Sequence, residues 1–90
     1  MSAGAQGCPA QPALTLLTRP ECGLCEEMLA ELRTLAVRTR LPPLTIRDVD
    51  SEPQWQRRYG LKIPVLLLDS TLVCAHRLDA AELMRLLNRA

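Results

Sequence analysis

Two cysteines three positions apart, in the segment Cys22-Gly23-Leu24-Cys25, are the residues of this sequence best suited to chemistry. They stand between a short apolar run and a long stretch of helical periodicity. A cysteine at a helix start lies among N–H groups that have no intrahelical partner, and the helix dipole favours negative charge there. The thiolate is the reactive form, so this position lowers the thiol pKa and favours nucleophilic attack. A second cysteine three residues on lies one turn along the same face, placed to attack a mixed disulfide formed at the first. The spacing predicts one redox-active disulfide, Cys22–Cys25, with Cys22 as the nucleophile and Cys25 as the resolving thiol.

The competing use of such a pair is half of a zinc site, which needs four ligands, usually from two such pairs. The single histidine is His76, and the two other cysteines, Cys8 and Cys74, form no second pair. No metal ligand is assigned on that count. Cys74 reads as a small hydrophobe in a strand, and Cys8 as an exposed thiol in a tail.

The elements that must position the pair follow from periodicity. Residues 1–12 are small, polar or Pro/Gly and read as a flexible N-terminal tail; residues 13–90 read as one domain. Ala13 to Thr18 is a short apolar run, a buried strand. Cys25, Met28, Leu29, Leu32, Leu35 and Ala36 recur at helical spacing, opposite Glu26, Glu27, Glu31, Arg33, Thr34 and Arg38. Pro42 and Pro43 close that helix. Leu44 and Ile46 alternate with Thr45 and Arg47 in a second strand running to about Val49. Ser51 with Gln54 matches a capping box for a short helix carrying Trp55 and Tyr59, with Gly60 at its C-terminal end. Trp55 reads as core, and Arg57 and Arg58 as a solvated face. Pro64 to Leu68 is a third strand, Asp69-Ser70 a hairpin turn, and Thr71 to His76 the return strand. Asp79 caps a last helix, with Glu82 reaching back to it and Leu78 and Leu83 as its hydrophobic staple. Leu83, Leu86 and Leu87 form the buried stripe. The order is β-α-β-α-β-β-α: an α/β fold whose first two strands are parallel through a right-handed crossover. The last two form an antiparallel hairpin. The sheet is four-stranded and mixed, with helices on both faces.

The 90 residues carry 11 basic and 10 acidic side chains, a net charge of +1. That balance offers no electrostatic footprint for nucleic acid or an anionic membrane. No run of 18 apolar residues exists to span a bilayer. The N-terminal residues have neither a basic start nor an apolar segment of the secretory kind, so a cytoplasmic location is expected. Only Trp55 and Tyr59 are aromatic, and 18 leucines must fill the core in their place.

The segment Thr18-Arg19-Pro20-Glu21-Cys22-Gly23-Leu24-Cys25-Glu26-Glu27 resembles the active-site segment of the glutaredoxin-like family of the thioredoxin superfamily. Asp48-Val49-Asp50, Tyr59-Gly60-Leu61-Lys62-Ile63-Pro64-Val65 and His76-Arg77-Leu78 match that family too. The resemblance covers about residues 13–88. It implies a thioredoxin fold and a cis Ile63–Pro64 bond, with the loop before this proline facing the thiols and pairing with a bound thiol substrate. Arg19 matches a basic glutaredoxin position. Substrate contacts are expected from Arg19, Ile63, Pro64 and Arg77. Three features depart from the wider superfamily. Gly23-Leu24 replaces the proline-containing pairs between the cysteines. Leu16 stands where thioredoxins place a buried acid, so no carboxylate there can take a proton from Cys25. Ala75-His76-Arg77 replaces the Gly-Gly turn against which glutaredoxins lay the γ-glutamyl end of glutathione.

The function these readings support is a thiol–disulfide oxidoreductase acting on a disulfide-containing protein or a glutathione mixed disulfide. No tightly bound cofactor is expected. Glutathione or a flavin-dependent reductase is the candidate electron donor, and the protein is expected to be monomeric. The alternative is a non-catalytic module of the same fold that holds a partner, a soft metal or an iron–sulfur cluster through the cysteine pair. Near the thiols, Arg19 and Arg77 favour the thiolate while Glu21, Glu26 and Glu27 oppose it. His76 is expected at the same end of the sheet.

Overall fold

Leu14–Thr18 (β1) is apolar at alternate positions on both sides, which suits the middle of a sheet rather than its rim. The computed structural model describes residues 12–89 and places β1 there. The tail through residue 11, with Cys8, lies outside the described residues. After β1 come α1 (Gly23–Arg38), β2 (Leu44–Asp48), a single 3₁₀ turn (Val49–Ser51) and α2 (Pro53–Tyr59). The chain ends with β3 (Val65–Leu68), β4 (Thr71–Ala75) and α3 (Ala80–Arg89). The sheet order is β2-β1-β3-β4, with β1 parallel to β2 and antiparallel to β3, and β4 antiparallel to β3. This is the α/β fold expected, a four-stranded mixed sheet with three helices.

β1 and β3 are the inner pair, and all four residues of β3 are buried. Their side chains alternate between two cores. On one face Leu14, Leu16, Leu66 and Leu68 meet Met28 and Leu32 of α1 and Leu83 of α3, with Val73 of β4. On the other, Leu17, Val65 and Leu67 meet Val49, with Trp55, Tyr59 and Ile63 packed around them. Each leucine fully withdrawn from water contributes about 1.5–3 kcal/mol, so leucine packing stands in for aromatic bulk. Cys74 is half-buried against the larger core, and burial pushes its thiol pKa up.

Several boundaries differ from the sequence expectation for local reasons. β2 stops at Asp48, because the Asp48 carboxylate accepts the Asp50 N–H at 2.8 Å and turns the chain into the 3₁₀ turn. Ser51 does not cap α2. Its hydroxyl donates to the Asp48 carbonyl, and Glu52 occupies the N-cap with no side-chain bond. Asp79 does cap α3, accepting the Glu82 N–H at 3.0 Å, but the Glu82 carboxylate turns outward to Arg85. β4 ends at Ala75, one residue early, because His76 has φ 70° and leaves the strand. Between β3 and β4 the register slips at Leu66/Leu67, so Val73 is an extra residue turned inward while Leu72 faces out.

Candidate active site

The carboxyl end of β1 delivers the chain to the cysteines through Arg19, Pro20 and Glu21. Glu21 takes a left-handed conformation, φ 58°, which makes the sharp turn into α1. Cys22 is the N-cap of α1, extended at φ −106° and ψ 105°. Its Sγ accepts the backbone N–H of Cys25 at 3.1 Å, and its carbonyl accepts the N–H of Glu26 at 3.1 Å. The sulfur thus takes the role that a serine or aspartate oxygen usually plays at a helix start. Cys22 and Cys25 are joined as a disulfide, their Cα atoms 5.2 Å apart. The two are unequal in exposure: Cys22 is half-buried, whereas Cys25 is 4% exposed and faces the core beside Met28.

Pro64 stands at the same end of the sheet. Leu17 pairs with Val65, so Pro64 falls opposite Thr18, where the chain leaves β1 for the cysteine turn. The Ile63–Pro64 bond is cis, as the resemblance implies. The Pro64 carbonyl accepts the N–H of His76 at 2.8 Å, which brings the β4–α3 turn to that end as well. There the Arg77 N–H reaches the Ala75 carbonyl at 2.8 Å, closing a three-residue turn around His76. His76 and Arg77 are exposed. That turn is made by a histidine at positive φ, 70°.

Arg19 is engaged on two sides. Its Nε and Nη2 donate to the two carboxylate oxygens of Asp50 at 2.9 and 3.0 Å, and its Nη1 donates to the Gly60 carbonyl at 2.9 Å. One guanidinium ties the entry to the cysteine turn, the 3₁₀ turn after β2, and the loop that leads to Pro64. The hydrogen bond from Arg19, with its charge, holds the Asp50 carboxyl below the ordinary carboxylate range, and Asp50 raises Arg19 in return. A side chain on Gly60 would come within 3.2 Å of Arg19 Nη2. Asp50 and Gly60 were visible in the sequence only as parts of matching segments. The signal for their joint role is positional. Thr18 pairs with Asp48, so Arg19 and Asp50 leave neighbouring parallel strands at the same end.

Beside the disulfide, between α1 and the exposed strand β2, lies an open pocket of about 120 Å³ lined by Thr18, Arg19, Cys22, Cys25, Glu26, Leu29 and Ile46. Glu21 and Glu27 are exposed and do not line it. Among the described residues no group of three or more His, Cys, Asp or Glu side chains converges as a metal site, and no helix is long and apolar enough to cross a membrane.

The family model described as glutaredoxin-like domain (DUF836) matches residues 13–88. Among solved structures, the solution structure of protein Ne2328 from Nitrosomonas europaea is 28% identical with a TM-score of 0.74, covering 83% of this chain and 89% of that one. An X-ray structure of a structural-genomics target from X. campestris is 27% identical with a TM-score of 0.60, covering 86% of this chain and 97% of that one. Thioredoxin 1 from Thermosipho africanus is 16% identical with a TM-score of 0.54, over 86% of this chain and 91% of its own. It shares the thioredoxin fold.

Proposed function

The chain belongs to the glutaredoxin-like domain family, and from that premise we propose that it is a thiol–disulfide oxidoreductase working through Cys22 and Cys25. The observation that carries the reading is the contact between the Cys25 N–H and Cys22 Sγ at the first turn of α1. A backbone donor aimed at the sulfur lowers the free energy of the thiolate relative to the thiol. Arg19 adds little net charge, because Asp50 accepts two of its hydrogen bonds. Thiolate stabilisation at Cys22 therefore rests on the helix start.

In the reaction, the Cys22 thiolate attacks one sulfur of a substrate disulfide. A Cys22–substrate bond forms and the other substrate sulfur leaves as a thiolate. Cys25, released from its proton, then attacks Cys22 Sγ. The intramolecular disulfide forms, the second substrate sulfur leaves, and two electrons have passed to the substrate. A thiol donor, glutathione or a reductase, restores the dithiol. The family resemblance assigns contact with the substrate backbone to Ile63, Pro64 and Arg77, and the Pro64–His76 hydrogen bond supports this by bringing that turn to the same end of the sheet.

The test is reduction of a protein disulfide and of a glutathione mixed disulfide by the wild type, Cys22→Ser and Cys25→Ser, with glutathione and with thioredoxin reductase as donors. Loss of both activities in Cys22→Ser is expected. Undiminished turnover in that variant would overturn the proposal.

A further inference from the structure

The second half of that reaction has a gap in this chain. Cys25 is 4% exposed and must lose a proton before it can attack Cys22. Leu16 is fully buried in the larger core, and among the described residues no buried polar or charged side chain is available to take that proton. The pocket between α1 and β2, which Cys25 lines, opens that thiol toward solvent. Glu26 supplies the single carboxylate of that lining.

We propose that Glu26 is the proton acceptor for Cys25 in the resolving step, with the pocket between α1 and β2 as the proton path; the inference rests on the dithiol reading above. The groups that face the pocket are few. Thr18 and Arg19 approach from the end of β1, Cys22, Glu26 and Leu29 from α1, and Ile46 from β2. Arg19 is a cation turned to Asp50 and Gly60, and the Asp50 carboxylate is occupied by it. At about 120 Å³ the pocket has room for water, and the transfer runs through it, since neighbouring side chains on a helix do not face each other. The Cys25 S–H bond breaks, its proton passes to the Glu26 carboxylate, and the sulfur's electron pair forms the bond to Cys22 Sγ. The substrate sulfur leaves with the electron pair of the broken mixed disulfide. Glu26 then returns the proton to solvent.

The carboxylate has opposite effects on the two steps, which makes the proposal testable. As a negative charge it disfavours the Cys22 thiolate. As a base it favours Cys25. The reduced protein, in a Cys8→Ser/Cys74→Ser background, is mixed with dithiobis(nitrobenzoate). The first thionitrobenzoate reports attack by Cys22, and the second reports resolution by Cys25. Glu26→Gln should leave the first phase unchanged or faster and slow the second about tenfold at neutral pH. That is less than the 10²–10⁴ of an enclosed base, because this pocket is open to solvent. The second phase should converge with the wild type at alkaline pH, where Cys25 ionises without help. Glu27→Gln, the same charge change on the neighbouring residue outside the pocket, should slow neither phase. An unchanged or faster second phase in Glu26→Gln, or equal slowing in Glu27→Gln, would overturn the role of Glu26. A second phase that persists in Cys25→Ser would instead overturn the dithiol reading beneath it.

Discussion

Arg19 and Asp50 meet through two hydrogen bonds, Nε to Oδ2 at 2.9 Å and Nη2 to Oδ1 at 3.0 Å, across 31 positions of the chain. Both sit where parallel strands β1 and β2 end, and the third arm of the guanidinium holds the Gly60 carbonyl. A planar fork meeting a carboxylate in this way fixes direction as well as distance, which a lysine could not do. The pair therefore sets the spacing between the cysteine turn and the loop that leads to Pro64.

A pH dependence follows. Arg19 holds the Asp50 carboxyl below its ordinary range, chiefly through its hydrogen bond. A carboxyl whose folded pKa is depressed contributes stability that is present above the unfolded value of about 3.9 and lost as pH falls through the lower folded value. Asp50→Asn should lower the urea midpoint at neutral pH, and the two proteins should converge as the pH drops below about 3.9. A difference in midpoint that persisted undiminished in strong acid would mean that Asp50 acts through something other than its charge.

Gly60 stands at the C-terminal cap of α2 with φ −55°, a conformation open to any residue. Glycine-to-alanine exchange at such a place ordinarily stabilises by about 0.4–1 kcal/mol. Here a Cβ would lie 2.5 Å from the Gln56 carbonyl oxygen and 3.2 Å from Arg19 Nη2. Backbone cannot yield as a side-chain tip can, so the sign reverses. Gly60→Ala should destabilise by about 1–3 kcal/mol, measured by denaturant unfolding.

The sequence made the frame legible because its inner strands are apolar on both faces and α1 carries a clean stripe through Cys25, Met28 and Leu32. Those patterns survive any detail of packing. The cysteine pair was legible for the same reason, since spacing alone puts Cys22 at a helix start. What escaped were side chains choosing among several partners. Ser51 had both the right residue type and the right spacing for a cap, yet Asp48 captured the turn first and took the Ser51 hydroxyl with it. Arg19 carried a charge that the sequence could place near the thiols, but its three acceptors lie 31 and 41 positions away. The pocket between α1 and β2 exists only because β2 is an edge strand, a fact of sheet order that no local pattern encodes.

His76 carries a left-handed backbone, φ 70°, in the turn between β4 and α3. A residue with a Cβ is strained there by about 1–2 kcal/mol, and glycine is not. The position is exposed, so the side chain adds little packing that its removal would forfeit. His76→Gly should therefore raise the unfolding free energy by about 1 kcal/mol after the added freedom of the unfolded chain is counted. Thermal unfolding of the variant measures it, and a lower melting temperature would show that the imidazole makes a contact worth more than the strain.

Cys22 and Cys25 should differ sharply in reactivity, and the cause is their placement on α1. Cys22 Sγ receives the Cys25 N–H at the helix start, where the dipole also favours the anion. Cys25 is 4% exposed among apolar neighbours, and desolvation opposes its ionisation. Both effects push the two thiols apart in the same direction. Glu26, lining the same pocket, and the exposed Glu21 and Glu27 work against the Cys22 thiolate, but water around them screens their charge. Cys22 should titrate below the ordinary thiol value of about 8.5. Iodoacetamide labelling against pH, in proteins that also lack Cys8 and Cys74, reads this directly. Cys25→Ser should label quickly at neutral pH and trap mixed disulfides, because its resolving thiol is gone. Cys22→Ser should label slowly and trap none. Fast labelling of Cys22→Ser with slow labelling of Cys25→Ser would reverse the two roles, and it would mean that the helix start does not control the chemistry of this pair.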